Sequence, residues 1–255
     1  LFRSSKKEVA TDGAVAGKEE VQMSAAEIKQ RIYALFAVFG VVIFFWMSFH
    51  QNGYSLTYFA RDYVDLSVIK IDLGFTQIKG AEIFQSVNPM IVVFLTPLVM
   101  YVFGRLRAKG KEPSAPRKIA IGMGIAALAY VFLMVCSLGL PEQSTLGSMS
   151  EAAKHDMLLT PWVMVGMYFI LTMAELFISP LGLSFVSKVA PPHLQGVMQG
   201  AWLAATALGN SLLFIGGVLY TSVPLWACWL VFVGACAASM ITMLAMVKWL
   251  ERVAK

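Results

Sequence analysis

The chain has 255 residues, of which 58% are hydrophobic and only 14% charged, with a formal net charge of +5. A soluble domain carries about a quarter charged residues, and here the apolar excess is gathered into uncharged blocks. Blocks of about 18 or more residues are long enough to cross hydrocarbon as helices. They are apolar on every face, which excludes the alternating pattern of a lipid-spanning barrel. In such a chain basic residues report topology, so no nucleic-acid partner is expected.

Residues 1–30 are polar and poor in aromatics, and read as a cytoplasmic linker between two halves of a larger protein. No charged-then-apolar leader with a small-residue cleavage site opens the chain. The first apolar block runs from Ile32 to Phe49 and continues into His50-Gln51-Asn52-Gly53. Further blocks cover 83–104, 119–141 and 157–187, the last with a single charge, Glu175. From Leu194 to Val247 there is no charge at all. Thr221-Ser222-Val223-Pro224 divides that stretch, because proline resists a helix interior. The result is an all-α membrane protein with one six-helix bundle over 31–255, its spans near 32–60, 80–104, 118–140, 159–188, 194–221 and 224–249.

Six spans put both ends of the chain on one side. That side holds sixteen of the twenty lysines and arginines, including Arg105, Arg107, Lys109, Lys111, Arg117 and Lys118. Positive loops stay in the cytoplasm, so the expectation is a multi-pass protein of the cell membrane with both ends cytoplasmic. Cys136, Cys228 and Cys236 all fall inside apolar blocks without a CxxC or Cys/His cluster. They read as small packed residues, with neither metal nor disulfide implied.

An ionisable residue in hydrocarbon costs at least about 2.5 kcal/mol and therefore faces a cavity or a partner. Glu175, in the middle of the fourth span, is the main case. A buried carboxylate there can couple its protonation to the occupancy of a site; the alternative is a structural partner for another buried group. Pro180, with Ser179 before it and Gly182 after, marks either a hinge or a static kink in the same helix. Asn88-Pro89 interrupts the second span. Asn88 is placed to hydrogen-bond a ligand, or to repair the carbonyl that Pro89 leaves without a donor. His50 closes the first block one turn after Trp46; histidine titrates near neutral pH, though an interfacial position explains it equally. Trp202 opens the fifth span among Gly196, Gly200, Ala201, Ala204 and Ala205, a composition suited to close packing. The indole either walls a pocket or anchors at an interface.

These motifs, in this order, resemble the seventh through twelfth helices of the proton-coupled oligopeptide transporter family, a branch of the major facilitator superfamily. Glu175-Leu176-Phe177-Ile178-Ser179-Pro180-Leu181-Gly182-Leu183-Ser184 is similar to the tenth-helix motif. Gly200-Ala201-Trp202-Leu203-Ala204-Ala205-Thr206-Ala207-Leu208-Gly209-Asn210 is similar to the eleventh helix, and Phe84-Gln85-Ser86-Val87-Asn88-Pro89 to the eighth. The resemblance implies that Glu175 holds the amino terminus of a peptide and exchanges with a lysine of the fourth helix. By the same resemblance Asn88, Trp46 and Trp202 line the substrate pocket; Ser179 is a further candidate for substrate contact, and Pro180 with Gly182 is the candidate hinge. The family often has an acidic residue where His50 stands; Glu175 and His50 are the proton-coupling candidates, with either His50 taking over that titration or coupling resting on Glu175 and the missing half.

The function implied is symport of di- and tripeptides with protons by alternating access, with the proton as coupling ion and no other cofactor. It requires a first six-helix half that this chain does not contain. A major facilitator carrier of another small substrate and a non-transporting six-helix module are the alternatives. No HExxH, Gly-x-Ser-x-Gly or paired catalytic carboxylates fall within the spans, so an enzyme is not expected.

Overall fold

The computed structural model describes residues 23–69, 71–72, 77–78 and 80–254. The part of the expected linker at 1–22 lies outside them. The remainder of that linker is shorter than expected. Helix α1 (Ala25–Phe49) starts six residues before the expected boundary, because Ser24 is an N-cap whose hydroxyl accepts from the Glu27 backbone N–H at 3.2 Å. A four-residue 3-10 turn, His50–Gly53, follows, and then α2 (Ser55–Tyr63). A two-residue antiparallel pair, β1 (Ile71–Asp72) with β2 (Gln77–Ile78), lies in the connection to α3 (Ile83–Ala108).

Helix α4 (Ala115–Cys136) leads through the short α5 (Glu151–Asp156) to α6 (Trp162–Val189). The fifth span is two helices, α7 (Gln195–Ser211) and α8 (Phe214–Ser222), with Leu212-Leu213 in a turn between them. The sequence reading treats this span as one helix. No proline or charge marks the break, which explains why composition is blind to it. Helix α9 (Leu225–Val253) closes the bundle. Among the described residues six segments are long and apolar enough to cross a membrane: 25–63, 83–108, 115–136, 162–189, 192–222 and 225–253.

Lipid tails are as apolar as leucine, so helices associate in a membrane through close packing and hydrogen bonds rather than by escaping water. Helix α4 packs along α9 and α6, and α1 along α7 and α9. Between α4 and α9 lies an aromatic stack in which Tyr130 is 5.1 Å from Phe232 and 6.3 Å from Trp229. The Trp229 indole donates to Ser137 Oγ at 3.0 Å, so the ring buries no unsatisfied group. Hydroxyls along the spans donate back one turn, as Ser48 does to Phe44, Thr172 to Tyr168 and Ser239 to Ala235. Helix α3 differs from the rest: its described packing is against α6, while Met90, Val93, Phe94, Leu98 and Met100 are exposed.

The turn from α3 to α4 is held by ions. Glu112 pairs with Arg107 at 2.7 Å and also with Lys118, whose ammonium lies 4.2 Å from the Phe103 ring centroid. The Arg107 guanidinium and the Lys118 ammonium together pull the Glu112 carboxyl down to about 2. Lys118 is one of the expected topology anchors, yet its side chain is only 5% exposed. It serves the fold as well as the charge balance.

Candidate functional site

Tyr168, Thr172, Glu175 and Ser179 are spaced four, three and four residues apart, and so share one face of α6. Glu175 is half-buried on that face. Its Oε2 accepts from the Asn88 side-chain amide of α3 at 3.0 Å, and the same nitrogen donates to Thr172 Oγ1 at 2.9 Å. Thr172 can accept because its own hydrogen goes to the Tyr168 carbonyl at 2.7 Å. Both amide hydrogens of Asn88 therefore go to α6, rather than to the carbonyl that Pro89 leaves without a donor. No lysine or arginine pairs with Glu175 among the described residues. The carboxylate is positioned by a neutral donor, which fixes its place without a compensating charge among the described residues.

The same face leads to the end of α1. Tyr168 Oη donates to the Asn52 carbonyl at 2.8 Å, and Thr57 Oγ1 donates to the same oxygen at 3.0 Å. Gln85 of α3 donates to Thr57 Oγ1 at 3.2 Å. Asn52 lies in the turn that interrupts the first span, where carbonyls lose their helical donors. Asn88 thus joins Glu175 to Thr172 and, through it, to the Tyr168 backbone carbonyl, while the Tyr168 phenol separately ties the same helix to the turn that contains His50.

His50 Nδ1 is 3.0 Å from the Trp46 carbonyl. A carbonyl only accepts, so Nδ1 carries the hydrogen and Nε2 is the atom left to titrate. The imidazole also lies against the Trp46 indole, with ring centroids 5.1 Å apart. Trp46 itself is buried against α7, where Gly209 makes room: a Cβ there would lie 2.7 Å from Trp46 Cβ and 2.9 Å from the Ile43 carbonyl.

Helix α6 runs unbroken through the exposed Pro180. Two residues on, Gly182 receives the Trp202 indole so closely that a Cβ would lie 2.1 Å from Cη2. Trp202 is 2% exposed and meets Phe39 of α1 edge-on at 6.2 Å. The missing side chain of Gly182 is therefore used in packing three helices together. The expectation of close packing along Gly196 and Gly200 fails, since the space beside both is open. A groove of about 300 Å³ runs between α3 and α6, lined by Thr96, Val99, Phe103, Leu176 and Pro180 and bordered by Lys118 and Glu112.

Sequence reading brings out Glu175, Asn88, His50 and Trp46, and misses Gln51, Tyr168 and Thr172. The signal for the last two was available in their spacing from Glu175. Gln51, beside His50, carries no such periodic mark. Among the described residues no three of His, Cys, Asp or Glu group to hold a metal.

Six segments long and apolar enough to cross a membrane define a multi-pass membrane protein, and the family match below makes its fold of the major facilitator type. The chain belongs to the POT family, which matches residues 3–242. It is 29% identical over 182 residues to the peptide transporter YePEPT of Yersinia enterocolitica subsp. palearctica, covering 71% of this chain and 32% of the relative. It is 28% identical over 198 residues to dipeptide and tripeptide permease B of Salmonella typhimurium, covering 77% of this chain and 36% of the relative. The chain thus spans about a third of the length of these curated relatives. The crystal structure of a peptide transporter POT in complex with sulfate matches with a TM-score of 0.74 at 24% identity, over 91% of this chain and 43% of that one. The POT family transporter PepTSo matches with a TM-score of 0.66 at 19% identity, over 89% of this chain and 43% of that one.

Proposed function

We propose that this bundle is the second half of a carrier that takes di- and tripeptides into the cell together with protons, by alternating access against a first six-helix half. The observation that carries the reading is Glu175, a carboxylate within a candidate membrane span held by the Asn88 amide and, among the described residues, by no cation. A peptide's terminal ammonium is the complement such a group lacks, and protonation of the carboxylate is the simplest way to release it. The relatives support the substrate class, since the Salmonella protein is a dipeptide and tripeptide permease.

Trp46 and Trp202, which pack α1 against α7 and α7 against α6, and Ser179, one turn beyond Glu175 on the same face, are the further residues assigned to the substrate side. His50, with Nε2 free to titrate, is the second proton-coupling group. The basic residues of the α3–α4 turn and of both ends of the bundle support a cytoplasmic location for that side, in the cell membrane. The proton is the coupling ion, and no other cofactor enters the reading.

The test is uptake of labelled dialanine into liposomes by a complete transporter that carries this bundle, driven by an acid gradient. Glu175→Gln is expected to abolish uptake and to leave the melting temperature in detergent within a few degrees of the parent. Unchanged uptake in that variant overturns the role of Glu175. A parent that takes up no dialanine, while folded, overturns the substrate class in favour of another small solute or a non-transporting module.

A further inference from the structure

Two of the six spans are broken, and the breaks meet. The first span turns at His50–Gly53 between α1 and α2, and the fifth turns at Leu212-Leu213 between α7 and α8. Irregular backbone at membrane depth persists only where its polar groups find partners inside the protein. The side chain between the two turns is Gln51, which is fully buried. Its Nε2 donates to the Met47 carbonyl at 3.3 Å within its own span and to the Leu213 carbonyl at 3.4 Å in the other. Its Oε1 accepts from Ser55 Oγ at 2.8 Å, at the start of α2. One primary amide therefore serves both interruptions.

Helix α8 is cut to receive it. A Cβ on Gly216 would lie 2.0 Å from Gln51 Oε1, and one on Gly217 would lie 2.5 Å from Tyr54 Cε1. The far ends of the two short helices are joined as well, by Tyr220 Oη donating to Asp62 Oδ2 at 3.0 Å, with Tyr58 and Tyr220 rings 6.3 Å apart. Helices α2 and α8 are thus linked at base and tip, and each is separated from the long helix of its own span by a turn. Spans one and five run in the same direction, so the pair stands at one end of the bundle. The turn at its base is also the one that Tyr168 ties to the helix of Glu175.

We propose that Gln51 is a positioning residue for transport: it couples the bend of the first span to the bend of the fifth, so that α2 and α8 move as one unit during the access change. The inference rests on the transport reading above. A residue with this role sets the rate of the conformational step and leaves the peptide site intact, so it acts on Vmax rather than on KM. Gln51→Met keeps the length of the side chain and removes the amide. Gly216→Ala leaves Gln51 in place and pushes its amide out of the seat in α8.

The experiment measures dialanine uptake and dialanine binding for a complete transporter carrying this bundle, as parent, each single variant and the double. Each single variant is expected to lower Vmax by about tenfold, the weight of one buried hydrogen bond, with KM and Kd within about twofold of the parent. The double is expected to be no slower than the slower single, because both remove the same link. A folded Gln51→Met transporter with parental Vmax overturns the proposal, and so do losses that multiply in the double. If Gln51→Met does not fold, the Vmax against KM split of Gly216→Ala decides by the same criterion. A parent without dialanine uptake overturns the transport reading and this inference together. Normal parental uptake with unaffected variants overturns this inference alone.

Discussion

Asn88 holds Glu175 across the α3–α6 contact while holding Thr172, three residues earlier, with the same nitrogen. The carboxylate is thereby fixed relative to its own helix as well as to α3. A neutral amide does this without competing for the charge of a cationic ligand, which a lysine or arginine in its place would do.

Asn88→Leu keeps the approximate volume and removes both donors. Dialanine affinity is expected to fall by about tenfold, the weight of a hydrogen bond to a charged group. Equilibrium binding on the folded variant checks this, and an unchanged Kd means that Asn88 does not position the carboxylate.

The Asn52 carbonyl accepts from two hydroxyls, Tyr168 Oη and Thr57 Oγ1. In Tyr168→Phe or Thr57→Val the remaining donor still satisfies it, so each costs about 0.5 kcal/mol. The double leaves a part-buried acceptor without a side-chain donor and is expected to cost about 1.5 kcal/mol, more than the sum. Melting of the three variants in detergent provides the comparison.

Gly182→Ala places a methyl group where the Trp202 ring now lies. Overpacking of this kind costs about 1–3 kcal/mol. Trp202→Leu in the same chain is expected to restore most of it, because the smaller side chain vacates the contact. Additive losses in a double-mutant cycle would show that the two positions do not meet.

At the α3–α4 turn the folded Glu112 carboxyl sits at about 2, below its ordinary value of 4.5. Its pairing is therefore fully present above pH 4.5 and is lost as the pH falls toward 2. Glu112→Ala leaves the Lys118 ammonium buried without its partner, for an expected loss of about 3 kcal/mol at neutral pH. The variant should also lose part of the parent's drop in melting temperature over that acid range.

The six spans, their order and the isolated carboxylate were legible because each follows from one-dimensional properties: block length, a lone charge, a proline. Helix ends were less so. The first helix begins at Ala25 because Ser24 caps it, a local hydrogen bond that hydropathy does not register. The break at Leu212-Leu213 was invisible for a related reason. The contact made there comes from another span, since Gln51 adds a side-chain donor to the Leu213 carbonyl that also accepts from the Gly216 backbone N–H. Gly182 shows the same limit, since its role is visible only once Trp202, twenty residues away in sequence, is seen against it. Contacts between spans are what a linear reading lacks.

The exposure of α3 bears on how the chain is assembled. Its main packing partner among the described helices is α6, which begins at Trp162, so in synthesis from the N-terminus most of its helix contacts are expected to form only after α4 and the following loop. A helix that waits needs to be content alone in lipid. The apolar flank from Met90 to Met100, which the other described helices leave uncovered, suits a helix in that position.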